Sequence, residues 1–158
     1  MGTRSLIGKL NDDGTVTAVY CHWGGYISNN GAILNDHYQD AAKVDALLAL
    51  GDLSSLGNEV GEQHDFDWRM QLIGDPSVSK AQIDNDPRHS WCNAYGRDRG
   101  ETGTEAHVEP TEVDFWASRK KYGAEYLYLF SRDEWRVKAY DNDVESLRLA
   151  LSKNEEEE

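Results

Sequence analysis

The chain has 158 residues, with 16 Lys and Arg against 29 Asp and Glu, a formal charge of −13, and 39% hydrophobic residues. That length and apolar content suit one domain with a real core, and so negative a surface disfavours a generic binder of DNA, RNA or anionic lipid. No apolar stretch approaches the roughly 20 residues of a membrane span, and Met1 to Leu6 lacks the apolar core of a signal peptide, so a cytoplasmic protein is expected.

Thr3 to Leu10, a turn at Asn11 to Gly14, and Thr15 to Trp23 predict a hairpin. Both sides of its second strand are fairly apolar, which predicts cover on both faces and a central place in the sheet. Asn30 is expected to cap a short helix carrying Ile33, Leu34, His37 and Tyr38. Asp40 should cap a second helix that buries Val44, Leu47 and Leu48 and stops at Gly51. From Gly51 to Pro110 turn residues dominate and only Trp68 to Ile73 reads as a strand, so this is a long irregular insertion of the kind that carries function or moves. Thr111 to Tyr122 predicts a helix with Val113 and Trp116 on one face, acids at its start, Arg119, Lys120 and Lys121 at its end, and Gly123 as its stop. A second hairpin follows, Ala124 to Phe130 and Trp135 to Tyr140 about a turn at Ser131 to Glu134. The last helix is expected from Asp141 or Asn142, with Val144, Leu147 and Leu151 inward. The expected architecture is a single α+β domain over 1–154: an antiparallel sheet built from the N- and C-terminal hairpins, helices packed on it, and the irregular central insertion. Glu155 to Glu158 should form a disordered acidic tail.

Three segments hold residue types suited to chemistry. Tyr20-Cys21-His22-Trp23-Gly24-Gly25-Tyr26 ends a strand and Asn29-Asn30-Gly31 opens a helix, an arrangement in which backbone N–H groups can meet an anion. The segment lacks the spacing of any standard nucleotide loop, and a buried Cys21 packed among Tyr20, Trp23 and Tyr26 is its structural reading. Cys92 to Glu101 sets Arg97 and Arg99 among glycines and runs on to His107, a local cationic spot able to clamp a phosphate or carboxylate. The competing reading pairs those arginines with Asp98, Glu101 or Glu105 to hold a loop. His89 and Cys92 have the gap of a zinc half-site, with Cys21 and His22 as its completing ligands, but a second paired half-site is missing, so no metal and no cofactor is expected. With two cysteines in all, no disulfide framework is expected either.

Cys21 or Cys92 as thiolate, His22 or His107 as base and Asp98 or Asp65 as orienter have the residue types of nucleophilic catalysis. Neighbours such as Cys21 and His22 point to opposite faces of a strand, so no catalytic residue is assigned and the question of an enzyme is left open. His64-Asp65-Phe66-Asp67 matches no standard cation loop and reads as a solvated acidic turn. The residues expected to contact a ligand are Cys21, His22, Trp23, Tyr26, Arg97, Arg99 and His107.

Gly2-Thr3-Arg4-Ser5-Leu6-Ile7-Gly8, Tyr20-Cys21-His22-Trp23 with Gly25-Tyr26, and Ala94-Tyr95-Gly96-Arg97-Asp98 resemble a family of small bacteriophage and prophage proteins with no assigned activity. Where that family tends to carry an acid and a proline, this chain has Gly24 and Ile27. The resemblance implies a phage context and the cytoplasm of a host cell, and no particular reaction.

These readings converge on an acidic binding protein that engages and inhibits a host factor with a basic surface, in a defence or nucleic-acid-processing complex, by mimicking the charge of nucleic acid. It would contact neither nucleic acid nor membrane directly, and homo-oligomerisation is left open. The alternative is a nucleotide or small-ligand binding protein, a sponge or a hydrolase, that uses the 21–31 turn with Arg97 and Arg99. A structural component of the virion is a third class.

Overall fold

The computed structural model describes residues 2–157. The first hairpin is β1, Ser5–Leu10, and β2, Val16–Cys21, antiparallel from Leu10↔Val16 to Ser5↔Cys21. The second is β6, Tyr126–Ser131, and β7, Glu134–Ala139. Short strands β3, Leu53–Ser55, β4, Asn93–Ala94, β5, His107–Glu109, and β8, Glu145–Ser146, complete an eight-stranded sheet of order β4-β3-β2-β1-β6-β7-β8, with β5 also on β2. The hairpins meet through β1 and β6, which run parallel in the register Ser5↔Tyr126 to Lys9↔Phe130, and β2 pairs parallel with β3 at Cys21↔Leu53. The fold is therefore α+β, as expected, with a mixed sheet where a purely antiparallel one was anticipated. The expectation failed because nothing in either hairpin's own sequence states how the two join.

Alternation buries both faces. Ile7, Val19, Cys21, Tyr128, Phe130, Trp135 and Val137 face one side. They are covered by α1, Ala32–His37, through Leu34, by the adjoining Tyr38, by α2, Ala41–Leu48, through Val44, Leu47 and Leu48, and by Leu147 and Ala150 of the last helix. Leu6, Val16, Ala18, Leu127 and Leu129 face the other side, beneath Phe115 and Trp116. Gly8 is required here, because a Cβ would come within 2.9 Å of Val16 and 3.0 Å of the Phe115 ring. The second strand is thus covered on both faces, as its composition predicted.

Asp40 caps α2 as expected, its carboxylate accepting from Ala42 N at 3.0 Å. Asn30 does not cap α1. It lies fully buried in a π turn, Ile27–Gly31, where its amide donates to Ser5 Oγ at 3.2 Å and to the Trp23 carbonyl at 3.5 Å.

The central segment has more local order than its turn residues suggested. Trp68–Ile73 is a helix, α3, not a strand: Asp65 accepts from Asp67 N at 2.9 Å to start it, Gly74 ends it, and only Trp68 is buried. A short apolar run does not distinguish the two states by period alone. Helix α4, Lys80–Asp84, follows with a Ser79–Gln82 capping box, then a 3-10 turn at Pro87–Ser90 and α5, Tyr95–Arg99.

The helix expected at 111–122 is two, α6, Glu112–Ala117, and α7, Arg119–Tyr122. They break at Ser118, whose hydroxyl bonds the Phe115 carbonyl at 2.6 Å in competition with the helical pattern. Phe115 and Trp116 face inward while Val113 is exposed. The last helix, α8, spans Leu147–Glu157, later than expected, because Tyr140 turns the chain with a φ of 52° and Glu145 and Ser146 pair as β8; Val144 is exposed. Glu155 to Glu157 of the acidic stretch fall on the end of this helix, and Glu158 lies outside the described residues.

Arg132 and Asp133 form the two-residue β6–β7 connection with φ of 54° and 62°, the signs of a type I′ turn, which favours Asn-Gly. A left-handed conformation costs a non-glycine residue about 1–2 kcal/mol. Arg132→Asn with Asp133→Gly should raise the stability by about 1 kcal/mol, read from urea midpoints; an unchanged or lower midpoint would refute the turn assignment.

Candidate functional site

Ser5 opens β1 beside the end of β2, and the backbone closes over the gap where Gly25 N donates to the Thr3 carbonyl at 2.8 Å. Tyr128 reaches up from β6 to bond the Gly25 carbonyl at 2.6 Å. At this strand end Cys21 points into one core, while Tyr20 packs on the other side and its hydroxyl meets His22 Nδ1 at 2.9 Å. His22 is half-buried and edge-on to Trp23, with ring centroids 4.7 Å apart. Trp23 is 48% and Tyr26 45% exposed, so neither is the core residue that the structural reading made of it. Cys21, by contrast, is buried as that reading required.

Burial pushes the Cys21 thiol up to about 12 and raises Cys92 as well. A thiol held neutral in the core is not a nucleophile at neutral pH. Cys92 Sγ accepts from Gly57 N at 3.3 Å and lies 3.5 Å from the Tyr38 hydroxyl. His89 turns elsewhere, its Nε2 on the Ile83 carbonyl at 2.6 Å and its ring edge-on to Trp68, so the His89–Cys92 half-site is split. Among the described residues no three His, Cys, Asp or Glu side chains are grouped to hold a metal ion. In the His64 to Asp67 turn, Asp65 is held below the usual carboxylate range by the Asp67 N–H and the Gln71 amide.

Arg97 and Arg99 are both engaged by groups of their own chain. Asp98 is fully buried as a side chain and accepts four hydrogen bonds: Oδ1 from Arg97 Nε at 2.9 Å and His64 N at 3.1 Å, Oδ2 from Ala94 N at 2.8 Å and Arg97 Nη2 at 3.1 Å. The rest of the Arg97 guanidinium holds the Val60 and Cys92 carbonyls, each at 2.8 Å. Arg99 pairs with Glu101 at 2.6 Å and covers the stacked Phe66 and Tyr95 rings at 4.4 and 5.0 Å. The loop-holding reading of both arginines is the one the structure bears out.

His107 sits on β5 opposite Ala18, its ring stacked on Tyr122 at 4.5 Å. Its Nε2 is buried without a hydrogen-bond partner, 3.7 Å from Glu109 Oε1. The expected ligand residues therefore divide: His22 and Trp23 adjoin, Arg97 is consumed in the central segment, and Cys21 faces away. A surface cleft of about 290 Å³ is lined instead by Asn35, Gln39, Asp133, Glu134, Trp135, Ser146 and Arg148.

Two charged regions emerge that the chain order hid. The β1/β6 register brings the turn carrying Asp12 and Asp13 to the same end of the sheet as the turn carrying Arg132, Asp133 and Glu134, next to Glu112, which pairs with Arg136 at 3.0 Å, so that carboxylates outnumber the cations there. At the opposite end of the sheet, Arg119 Nη2 bonds Asp141 at 2.9 Å, drawing α7 with Lys120 and Lys121 to the end of β7, where Lys138 lies. Arg4 joins them against Gly123, where a Cβ would come within 3.4 Å of its guanidinium. Arg119-Lys120-Lys121 was visible in the sequence as three consecutive cations; read only as a helix ending, it gave no hint of Arg4 or Lys138.

Fold and surface together define an α+β domain of three layers in which both thiols and the Asp98 carboxylate are buried. A scan against protein-family models and searches of curated proteins and of solved structures find no match to the chain. No described helix is long and apolar enough to cross a membrane.

Asp98→Asn should cost about 3–5 kcal/mol by stranding Arg97, whereas Arg99→Ala at the surface should cost under about 1 kcal/mol. Urea unfolding of the two variants checks this, and equal small losses would refute the structural role of the pair. Burial holds His107 below the usual histidine value of about 6.5. The unfolded chain then takes up this proton first, so its contribution is complete above about pH 6.5 and is lost as pH falls below that value. His107→Phe, which keeps the stack on Tyr122, should flatten the stability profile in that window; an unchanged slope in urea titrations would assign the effect elsewhere.

Proposed function

We propose that this chain is an acidic binding protein that engages and inhibits a partner presenting a basic surface. In line with its resemblance to phage and prophage proteins, the partner is a host factor of a defence or nucleic-acid-processing complex, met in the host cytoplasm. The observation that carries this reading is the grouping of Asp12, Asp13, Asp133 and Glu134 on adjacent turns at one end of the sheet. Carboxylates on neighbouring hairpins form a rigid array, and ordering them costs no further folding when a basic groove arrives. Such an array presents charge as a phosphate backbone does and accelerates encounter with a cationic channel.

The side chains that a catalytic reading would use are already engaged. Both thiols are buried and neutral, and Asp98 is saturated by four donors. The small-ligand alternative depended on Arg97 together with the 21–31 turn, and Arg97 is bound to the Val60 and Cys92 carbonyls.

The test is capture from host lysate by the tagged chain and by a variant with Asp12→Asn, Asp13→Asn, Asp133→Asn and Glu134→Gln, followed by mass spectrometry. The unchanged chain should retain a defined partner at low salt and lose it progressively at higher salt, and the variant should bind it at least about tenfold more weakly. Equal capture by both chains, or capture indifferent to salt, would overturn the reading.

A further inference from the structure

The basic corner lies at the opposite end of the strands from the acidic turns, and the proposed function makes no use of it. Arg4, Arg119, Lys120 and Lys138 gather there in a chain whose overall charge is −13, while Lys121 turns to the other side of α7, its ammonium 5.4 Å from the Tyr122 ring. Backbone bonds build the corner: Glu125 N donates to the Arg4 carbonyl at 2.9 Å and Tyr140 N to the Glu125 carbonyl at 2.7 Å. Two carboxylates sit among these cations. Glu125 accepts from Arg4 N at 2.7 Å, and Asp141 accepts from Arg119 at 2.9 Å. Among the described residues Arg4, Lys120 and Lys138 form no ion pair, and Arg4 and Lys120 are exposed. Like charges held together without partners repel, so an anion that enters gains from several of them at once.

The corner also has an aromatic wall. Tyr140 is 48% exposed, stands edge-on to Tyr126 with centroids 5.4 Å apart, and has the Arg119 guanidinium 6.0 Å from its ring. A ring so placed can stack on a planar group whose phosphate meets the lysines. The carboxylates of Glu125 and Asp141 within the corner limit the ligand, since a long polyanion meets their repulsion where a small one does not.

We propose that the corner formed by Arg4, α7, Lys138 and Tyr140 is a binding site for an aromatic phosphate ester of mononucleotide size. Asp141 occupies part of the site in the free protein, holding Arg119 in place and setting the affinity that an incoming phosphate must exceed. The site is separate from the acidic turns, and its occupation does not depend on the partner proposed for them.

Isotope-edited NMR titration of the full chain tests this with AMP, phenyl phosphate, inorganic phosphate and a short oligothymidylate. AMP or phenyl phosphate should give saturable shifts at Arg4, α7 and residues 138–141, and both should bind more tightly than inorganic phosphate. The tighter of the two identifies a nucleotide or a smaller aryl phosphate as the natural class. Lys120→Ala with Lys138→Ala, neither of them buried, should keep the spectrum's dispersion and weaken binding by roughly tenfold or more, and Asp141→Asn should strengthen it. The proposal is overturned by shifts that do not saturate, by equal affinity for inorganic phosphate, or by an unchanged affinity in the lysine variant. Tighter binding of the oligomer would give the corner to single-stranded nucleic acid, and broadening that grows with protein concentration before any ligand is added would give it to the acidic end of a second copy; each refutes the assignment.

Discussion

Leu6, Ile7 and Gly8 of β1 lie in parallel register with Leu127, Tyr128 and Leu129 of β6, and that one pairing decides where both ends of both hairpins go. Had the hairpins joined antiparallel, the 11–14 turn would have lain beside the start of β6 and the carboxylates of the two turns would have been separated. In the parallel arrangement turn adjoins turn and open end adjoins open end. The separation of acidic from basic surface therefore follows from backbone topology. Side-chain attraction did not create it, since the like charges gathered at each end disfavour their own assembly. The offset comes from burial: Leu6, Ile7, Leu127, Tyr128 and Leu129 are all fully buried around this pairing.

The central segment rests on a different principle. It has few apolar residues to bury, and it is held through polar groups whose loss would be costly. Asp98 collects donors from α5, from the end of β4 and from His64, while Arg97 collects carbonyls from Val60 and Cys92. Each member satisfies another's buried demand, so the network is stable when complete and strongly destabilised by any single loss. Gly57 and Gly61 belong to the same closure, since a Cβ on either would come within 2.4 Å of Trp91. Such a scaffold fixes α5 against the sheet edge and leaves α3 and α4 standing off the body, with Met70 and Ile73 exposed.

What was legible in the sequence was what adjacent residues decide. The two hairpins, the Asp40 cap and the buried stripe of α2 all follow from spacing over a few positions. What was not legible depended on distance along the chain. The pairing of Arg97 with its neighbour Asp98 could be weighed from sequence, but its bond to the Val60 carbonyl, 37 residues away, could not, nor could the Glu125 carboxylate on the Arg4 N–H, 121 residues away. Asn30 has the residue type of a cap, but Ser5, 25 residues earlier, claims its amide. Within the candidate site, the buried Cys21 could be foreseen from residue type, whereas the exposure of Trp23 and Tyr26 could not, because aromatic residues serve core and surface alike.

The two charged ends are far enough apart to act separately. Six-residue strands put about 20 Å between the turn end and the open end, more than twice the screening length of about 8 Å at physiological ionic strength. A basic partner docked on the acidic turns therefore feels little of Arg4 and α7 through solvent, and an anion in the basic corner feels little of Asp12 or Asp133. Coupling between them would have to pass through the β1/β6 pair itself, whose buried and fully paired centre leaves little room for a second arrangement. By the reciprocity of linkage, a partner that does not shift that strand pair cannot change affinity at the corner, nor can the corner change affinity for the partner.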